Sequence, residues 1–552
     1  MTDAASELQL TNVGQLLSHA AVAWPDHPAV AEPDGTGWRH VSFAELEADS
    51  NRIAKGLHES GVQSGQRLGM LVPPGIDFVS LVFALFKTGA VIILIDPGIG
   101  RKNLVRCLSD ARPEGIVGIA KAQIARWIFR KRFPQAKNNF VVGRRLWPGC
   151  TSIEGFRQRP ADEFKIDPGD ADSPAAIIFT SGSTGPPKGV GYSHGNFITQ
   201  AHEIQRYFDI QHGGADISGF PLFALFNTAM GVTTVFPRMD FTRPAEVSPE
   251  VFVSAAEHWQ ANQSFGSPAL WNTVSRWCEK QKRNLPTIER VMSAGAPVPA
   301  HVLKRVKQII APHGDVFTPY GATEALPVAC NSASIVLSET GKKTDEGKGV
   351  CVGGRFPQID WRVIEITDGP IQTMADAVEL EPGQIGELVV SGPVVTREYV
   401  TRTDANAGAK IQDGDRFWHR MGDVGYMDEH RRFWFCGRKS QRVICGDKTL
   451  FTVPCESIIN THPAIYRSAL VGIGPRGQQQ PVIVAEPWPD HWPATVERRE
   501  RLCKELTGLA AGHDVTSAIK DVRLQKRLPV DIRHNSKIFR EQIANALARE
   551  FA

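Results

Sequence analysis

Short runs of β-branched and aromatic residues alternate along the chain with longer stretches in which apolar residues recur every three or four positions. The short runs predict strands and the longer stretches predict helices. Four of the runs are residues 175–180, 251–258, 388–390 and 469–473. Residues 423–435 add a hairpin, because aromatic residues alternate there on both sides of a charged turn. This alternation of elements is typical of a layered α/β fold.

The longest apolar run, residues 78–96, predicts a buried helix followed by a buried strand. It contains Lys87 and Gly89 and ends at Asp96, so it does not have the uniform apolar character of a membrane-spanning helix. Residues 472–477 match the spacing G-x-G-x-x-G, but a second β-rich segment follows them. We therefore predict a turn between two strands there, because a nucleotide-binding loop of this type would lead into a helix.

The length of 552 residues exceeds what one hydrophobic core usually supports, which predicts at least two domains. We place the boundary after the hairpin. The predicted division is residues 1–437, a hinge at residues 438–442, and a small α+β domain at residues 443–552.

Charge and cysteine usage exclude several classes of protein. The 62 basic and 59 acidic residues leave a net charge of +3, too small for the positive surface of a nucleic-acid-binding protein. The nine cysteines form no C-x-x-C pair, and the N-terminus has no signal-peptide pattern, so we expect a cytoplasmic protein without a transmembrane segment. The basic, aromatic-containing residues 121–137 fit either a surface helix or a segment that contacts a membrane or a partner protein.

The strongest chemical motif is residues 180–189, TSGSTGPPKG, which directly follow the predicted strand at 175–179. Glycines allow the backbone N–H groups to converge on an anion, hydroxyl groups add donors, and a lysine adds a positive charge. It is not a P-loop, because the G-K-S/T ending is absent. The predicted triphosphate-binding residues are Thr180, Ser181, Gly182, Ser183, Thr184, Gly185 and Lys188.

With this loop, the chain resembles the adenylate-forming superfamily of acyl-CoA synthetases, adenylation domains and luciferases. Further motifs follow in the family order: residues 221–223, 293–297, 320–324, 422–423 and 437–438. The resemblance implies a large N-terminal α/β domain of several subdomains, a small mobile C-terminal domain, and the cofactors ATP and Mg²⁺. It assigns magnesium binding and a catalytic role to Glu324, and a second catalytic role to Thr184. It assigns the acyl pocket to Phe223 and Ala224. The residues to which it assigns ATP or AMP binding are Gly295, Ala296, Pro297, Tyr320, Gly321, Thr323, Asp423 and Arg438.

The resemblance also implies that Lys537 is the catalytic lysine of a loop that closes on ATP and the acyl carboxylate. The chain departs from the acyl-CoA synthetase pattern at three places. The proline-to-lysine spacing before Lys537 is two residues longer, the hinge contains Ser440, and Ala224 stands where a histidine often follows Pro-Leu-Phe. These departures together weaken the case for a standard CoA ligase.

Residues 320–327 and 529–537 most resemble the β-lactone synthetases of bacterial long-chain olefin biosynthesis. This resemblance implies a 2-alkyl-3-hydroxy fatty acid substrate, activated as its adenylate and then closed to a lactone by its own 3-hydroxyl group. It also implies a possible assembly with other enzymes of that pathway. A long-chain acyl-CoA synthetase or acyl-AMP ligase is the alternative, and a non-catalytic nucleotide-binding protein is a third. His194, His419 and His534 are the candidates for the general base of ring closure.

Overall fold

The computed structural model describes residues 10–143, 149–160, 163–180, 185–531 and 537–551. The strands of this part are β1 (Pro28–Asp34), β2 (Gly37–Ser42), β3 (Arg67–Leu71), β4 (Val91–Leu94), β5 (Gly115–Ile119), β6 (Asn138–Val142), β7 (Thr151–Ser152), β8 (Pro174–Phe179), β9 (Gly189–Ser193), β10 (Ala215–Ile217), β11 (Thr233–Val235), β12 (Gln263–Gly266), β13 (Arg290–Ser293), β14 (Asp315–Ala322), β15 (Ala325–Ser332), β16 (Val350–Arg355), β17 (Asp360–Ile364), β18 (Gly386–Ser391), β19 (Lys410–Asp413), β20 (Arg416–Met427), β21 (Phe433–Arg438), β22 (Val443–Cys445), β23 (Lys448–Leu450), β24 (Ile465–Ile473), β25 (Gln480–Pro487) and β26 (Asp521–Leu524).

Helices alternate with these strands over most of the chain. They are α1 (Gly14–Ala23), α2 (Phe43–Glu59), α3 (Ile76–Lys87), α4 (Arg101–Asp110), α5 (Ala120–Ile128), α6 (Ile153–Arg157), α7 (His194–Tyr207), α8 (Phe223–Ala229), α9 (Pro249–His258), α10 (Pro268–Gln281), α11 (Ala300–Ile309), α12 (Ala333–Ile335), α13 (Gly341–Asp345), α14 (Asn406–Ala409), α15 (Thr452–Asn460), α16 (Val496–Ala511) and α17 (Arg540–Phe551).

Two large sheets dominate the first 438 residues. One has seven strands in the order β7-β6-β5-β3-β4-β8-β9, and all neighbours are parallel except β8 and β9. The other has fourteen strands, with a parallel part from β1 to β14 and an antiparallel part that continues from β14 through β15, β16, β21, β20 and β18 to the edge strand β17. The carboxyl ends of parallel strands form a crevice at the sheet edge, which is where α/β proteins usually bind ligands.

The chain after β21 forms its own sheets. A short turn at Lys439–Gln441 leads to the pair β22-β23 and then to the three-stranded sheet β24-β25-β26. Helices α15 and α16 pack on this last sheet around a separate apolar cluster. The mixed α/β architecture predicted from the sequence is confirmed.

Most of the predicted elements are present. Residues 175–179 form β8, residues 388–390 lie in β18, and residues 469–473 end β24. The predicted hairpin is β20 and β21, and residues 472–477 lie at the turn between β24 and β25. The strand predicted at residues 251–258 was wrong: these residues form helix α9. Ser248 caps this helix, Pro249 occupies its first turn, and its apolar residues face the core at helical spacing.

The apolar run at residues 78–96 forms α3 and β4, as predicted. Lys87 is fully buried, and its Nζ donates to Glu47, Ser50 and Asn51 of α2. Burial lowers the pKa of Lys87 to about 8, against the opposing effect of Glu47. This polar network therefore fixes α3 against α2. No helix in the described ranges combines the length and apolar character needed to cross a bilayer.

Candidate active site

A cleft of about 3050 Å³ brings fourteen of the predicted site residues together. It runs along the carboxyl ends of β3, β4, β5 and β8 and continues over the ends of β13 and β14 and the middle of β20 to the C-terminal segment. The predicted residues that line it are Thr180, Gly185, Lys188, Phe223, Gly295, Ala296, Pro297, Tyr320, Gly321, Thr323, Glu324, Asp423, Arg438 and Lys537. Positions separated by more than 300 residues in the sequence thus share one surface.

The phosphate-loop motif joins two antiparallel strands, β8 and β9. The neck of the loop is closed by two hydrogen bonds: Thr180 N–H donates to the Lys188 carbonyl, and Lys188 N–H donates to Thr180 Oγ1. Gly189 N–H donates to Thr401 Oγ1 at 2.8 Å, which ties the loop base to the chain beyond β18. Ser181, Gly182, Ser183 and Thr184 lie outside the described residues, so their predicted roles stay predictions.

Glu324 and Lys188 are connected through Tyr399. The Tyr399 hydroxyl donates to Glu324 Oε1 at 2.6 Å, and Lys188 Nζ lies 4.2 Å from the centre of the Tyr399 ring. Burial lowers the pKa of Lys188, and the carboxylate of Glu324 opposes this effect. One carboxylate oxygen of Glu324 is therefore held in place by Tyr399, and the ring that holds it also carries the ammonium group of Lys188 on its face.

A second lysine, Lys410, is linked to Glu324 through Thr396. Its Nζ donates to the carbonyl of Thr396, and Thr396 donates from N–H and Oγ1 to the carbonyl of Glu324. Burial lowers the pKa of Lys410 to about 7, although Glu324 raises it. The backbone of Glu324 is thus held by Thr396, which Lys410 holds in turn, and Lys410 and the carboxylate of Glu324 attract each other.

The cleft also contains a buried acceptor suited to ribose hydroxyls. The Tyr320 hydroxyl donates to Asp423 Oδ2 at 2.5 Å. Arg438 Nη1 lies 2.9 Å from Asp423 Oδ1 as an ion pair, without the geometry of a hydrogen bond. Asp423 Oδ1 therefore accepts no hydrogen bond from the described residues. Burial raises the pKa of Asp423, whereas Arg438 lowers it. Asp423 Oδ1 is therefore a buried acceptor able to bind a hydroxyl group of a nucleotide.

Two turns make room next to this acceptor. Gly295 follows β13 with φ of 95°, a conformation that favours glycine. A side chain at Gly321 would put its Cβ 2.7 Å from the carbonyl oxygen of Ala325. Gly295, Ala296, Pro297 and Gly321 line the cleft together with Tyr320, and the two glycines add no side chain there.

Aromatic side chains line the part of the cleft next to α8. The ring of Phe223 stacks on Phe265 at 4.5 Å and meets Phe226 edge-on at 5.7 Å. Phe223 therefore lies where an apolar acyl chain could bind. Ala224, also predicted to line the pocket, is fully buried in the core and is not among the residues that line the cleft. The helical turn that starts at Phe223 points the next residue away from the cavity.

Lys537 reaches the same cleft from the C-terminal segment. Its N–H donates to Asp531 Oδ1 at 2.8 Å, and Asp531 N–H donates back to the Lys537 carbonyl. Arg540, three residues later, pairs with Glu456 at 2.7 Å and donates to Gln441 in the hinge turn. These contacts fix the two ends of the loop that carries Lys537.

The three histidine candidates differ in position. His194 is buried in the core at the start of α7, away from the cleft-lining residues. His534 lies outside the described residues. His419 lines the cleft, and its Nδ1 lies 3.1 Å from the Ala409 carbonyl, so the neutral ring donates there and leaves Nε2 as an acceptor. Burial, with Lys410 and Lys188, holds the pKa of His419 well below its usual value.

Sequence reasoning missed Tyr399, Lys410 and Phe265. Tyr399 lies in an irregular segment and Lys410 at the start of a strand. Neither periodicity nor a motif distinguishes them there. Phe265 is one of many aromatic residues in strand-like runs. Only the fold brings these three residues to Glu324 and Phe223.

Comparisons with known proteins identify the family of the chain. A family model described as AMP-binding enzyme matches residues 17–400. The chain is 40% identical over 547 residues to an olefin beta-lactone synthetase of Xanthomonas campestris, covering 97% of each protein. It is 26% identical over 476 residues to the long-chain-fatty-acid–CoA ligase FadD13 of Mycobacterium tuberculosis, covering 84% of this chain and 86% of that protein.

Solved structures of low identity share the fold. The o-succinylbenzoate CoA synthetase MenE from Bacillus subtilis, in complex with an acyl-adenylate, aligns with a TM-score of 0.74 at 21% identity over 96% of this chain and 97% of that one. The anthranilate CoA ligase AuaEII, in complex with anthranoyl-AMP, aligns with a TM-score of 0.79 at 16% identity over the full length of both. The chain therefore has the fold of adenylate-forming enzymes and belongs to the AMP-binding enzyme family, together with the olefin beta-lactone synthetases.

Proposed function

We propose that the protein converts a 2-alkyl-3-hydroxy fatty acid to a β-lactone through an acyl-adenylate, with release of diphosphate and AMP. The observation that carries this proposal is the single cleft in which the phosphate loop and the buried acceptor of Asp423 meet an aromatic pocket. The relatives named olefin beta-lactone synthetase support a β-lactone product, and a β-lactone forms from an acid that carries a 3-hydroxyl group. The proposed place of the reaction is the biosynthesis of long-chain olefins.

In the first step, a carboxylate oxygen of the acid attacks the α-phosphorus of ATP, and diphosphate leaves. Lys188 and Lys537 come from distant parts of the sequence and both line the cleft. Their charges would stabilise the negative charge that develops between carboxylate and phosphate. Glu324 suits Mg²⁺, because a hard cation is usually held by one or two carboxylates together with substrate phosphates. Bound there, the ion would neutralise phosphate charge.

In the second step, the 3-hydroxyl oxygen attacks the acyl carbon, the bond to the AMP oxygen breaks, and the hydroxyl proton passes to a base. The nucleophile is already part of the substrate, so ring closure avoids the entropy cost of bringing in a second molecule. We propose His419 as the base or as the group that orients a water for this role. Its support is the acceptor Nε2 on a neutral ring that lines the cleft.

The decisive experiment supplies ATP and Mg²⁺ with one of two acids, in the presence or absence of CoA. One acid is a 2-alkyl-3-hydroxy acid, and the matched control is the same acid without the hydroxyl group. We expect lactone and AMP from the hydroxy acid without CoA, and an adenylate but no lactone from the control. A thioester that forms only when CoA is present would instead identify a long-chain acyl-CoA ligase. AMP release from neither acid would support a non-catalytic nucleotide-binding protein.

We further propose the division into residues 1–437, a hinge at 438–442, and a C-terminal domain at 443–552 that carries Lys537. The separate sheets after β21 and the turn at Lys439–Gln441 support this division. A cytoplasmic location and an assembly with other enzymes of the olefin pathway stay predictions from the sequence and from the family resemblance. Limited proteolysis that cuts first within residues 438–442 would support the hinge.

A further inference from the structure

Helix α5 exposes its apolar residues and buries a polar one. Its only buried side chain is Gln123, whose Nε2 donates to the carbonyls of Ile116 and Phe140 and so attaches the helix to the seven-stranded sheet. Ile124, Trp127 and Ile128 point outward and are between 39% and 58% exposed. An ordinary surface helix would turn these three residues to the core.

Basic side chains surround these exposed apolar residues. Residues 121–137, here called the α5 patch, contain six basic and no acidic residues, although the whole chain has a net charge of only +3. Five of the six are exposed: Lys121, Arg130, Lys131, Arg132 and Lys137. Arg130 also lies over the ring of Trp127, 5.1 Å from its centre, so charge and aromatic surface occur at the same place.

The α5 patch borders the active-site cleft. The cleft extends into the gap between α4 and α5, where Leu104 of α4 and Ala122, Ala125 and Phe129 of the patch line it. Phe129 is also exposed at 41%. A molecule bound on the outer surface of the patch would therefore be next to an opening that leads to the ends of β3, β4 and β8.

We propose that the α5 patch binds an anionic lipid surface. A helix with apolar residues on its outer face and a rim of basic residues lies in the plane of a membrane interface, with the cations attracted to acidic headgroups. The absence of acidic residues from the patch favours such a surface, and the gap beside Phe129 would let a lipid-soluble acid enter the cleft without crossing water. The binding itself does not depend on which acid is the substrate.

The test is sedimentation of the full chain with vesicles of phosphatidylcholine, alone or mixed with phosphatidylglycerol. We expect binding to the mixed vesicles only, with affinity that falls as salt is raised. Changing Arg130, Lys131 and Arg132 to Gln should weaken binding by about fivefold per removed charge. Trp127→Ser with Ile128→Ser should also release the protein from the vesicles.

Two variants of helix α16 serve as matched controls, Val496→Ser and Arg501→Gln. Their side chains are exposed but lie outside the α5 patch, so both variants should sediment like the unchanged protein. Far-ultraviolet circular dichroism and ATP binding verify that each variant is folded. A chain that binds neither vesicle at low salt would overturn the proposal and leave the patch as a surface for a protein partner. Patch variants that bind as strongly as the unchanged protein would overturn it as well.

Discussion

His194 provides a test that separates a structural histidine from a functional one. It is 2% exposed, begins α7, and accepts a hydrogen bond from Val13 N–H at its Nδ1. A proton on Nδ1 would face this N–H group and the positive end of the helix dipole. Burial accordingly lowers the pKa of His194 to about 4, although Asp167 and Asp170 raise it.

The size of the effect follows from the two pKa values. In the unfolded chain His194 takes up a proton below about pH 6.5, whereas in the folded chain it does so only below about pH 4. The unfolded state therefore binds more protons between these values, and stability falls as the pH is lowered. From pH 7.5 to pH 5 this histidine alone should cost about 2 kcal/mol, and at pH 4 or below about 3 kcal/mol.

The variant His194→Asn removes the titrating ring and keeps an acceptor for Val13. We expect the variant to be less stable than the unchanged protein at pH 7.5, because its side chain is smaller. The difference in the free energy of unfolding between the two proteins should shrink by about 2 kcal/mol at pH 5. Urea unfolding at both pH values measures it, with the exposed His19→Asn as control. Lactone formation at pH 7.5 should change little. Equal stability differences at the two pH values, or a large loss of turnover in a folded variant, would refute the reasoning.

Three further predictions concern the cleft. Lys537→Ala should slow adenylate formation by about a hundredfold or more while ATP still binds. Rapid quench measures the rate, with the exposed Lys448→Ala as control. Equal rates in both variants would contradict a catalytic role of Lys537. Glu324→Gln should lower turnover and raise the magnesium concentration needed for half-maximal diphosphate release, so an unchanged magnesium response would argue against metal binding. Asp423→Asn should weaken ATP binding about tenfold to a hundredfold, because a charged acceptor is lost beside Arg438, and competition binding measures this loss.

Much of the fold could be predicted from hydrophobic patterning, because the strands at 175–179, 388–390 and 469–473 are buried on both faces. The helix at 249–258 could not be distinguished from a strand by its β-branched residues alone. Its cap at Ser248 and the proline at position 249 were the decisive signals, since they satisfy and pre-organise the first turn. Local capping chemistry thus outweighed strand propensity.

The candidate site was predicted only where a motif is continuous in sequence. Fourteen of the predicted residues line one cleft because strands of the two large sheets, the start of α8 and the C-terminal segment meet there. Ala224 shows the limit of this reasoning, since adjacency to Phe223 in sequence does not put it on the same helix face. His194 shows the same limit, because residue type alone could not distinguish a buried helix start from a cleft wall.

The residues around Glu324 could not have been predicted, because their role depends on three separate segments meeting. Tyr399 binds the carboxylate of Glu324, while Thr396 holds its backbone and Lys410 holds Thr396. An unpaired cation in such a place would be costly to bury, so the negative charge of Glu324 and the positive charges of Lys410 and Lys188 stabilise one another. Both lysines therefore attract the carboxylate of Glu324 before any ligand binds, although burial lowers the pKa of Lys410 to about 7 and leaves it only partly charged at neutral pH. A cation that binds at Glu324 must compete with these lysines. Its occupancy is therefore coupled to the phosphates that a nucleotide brings.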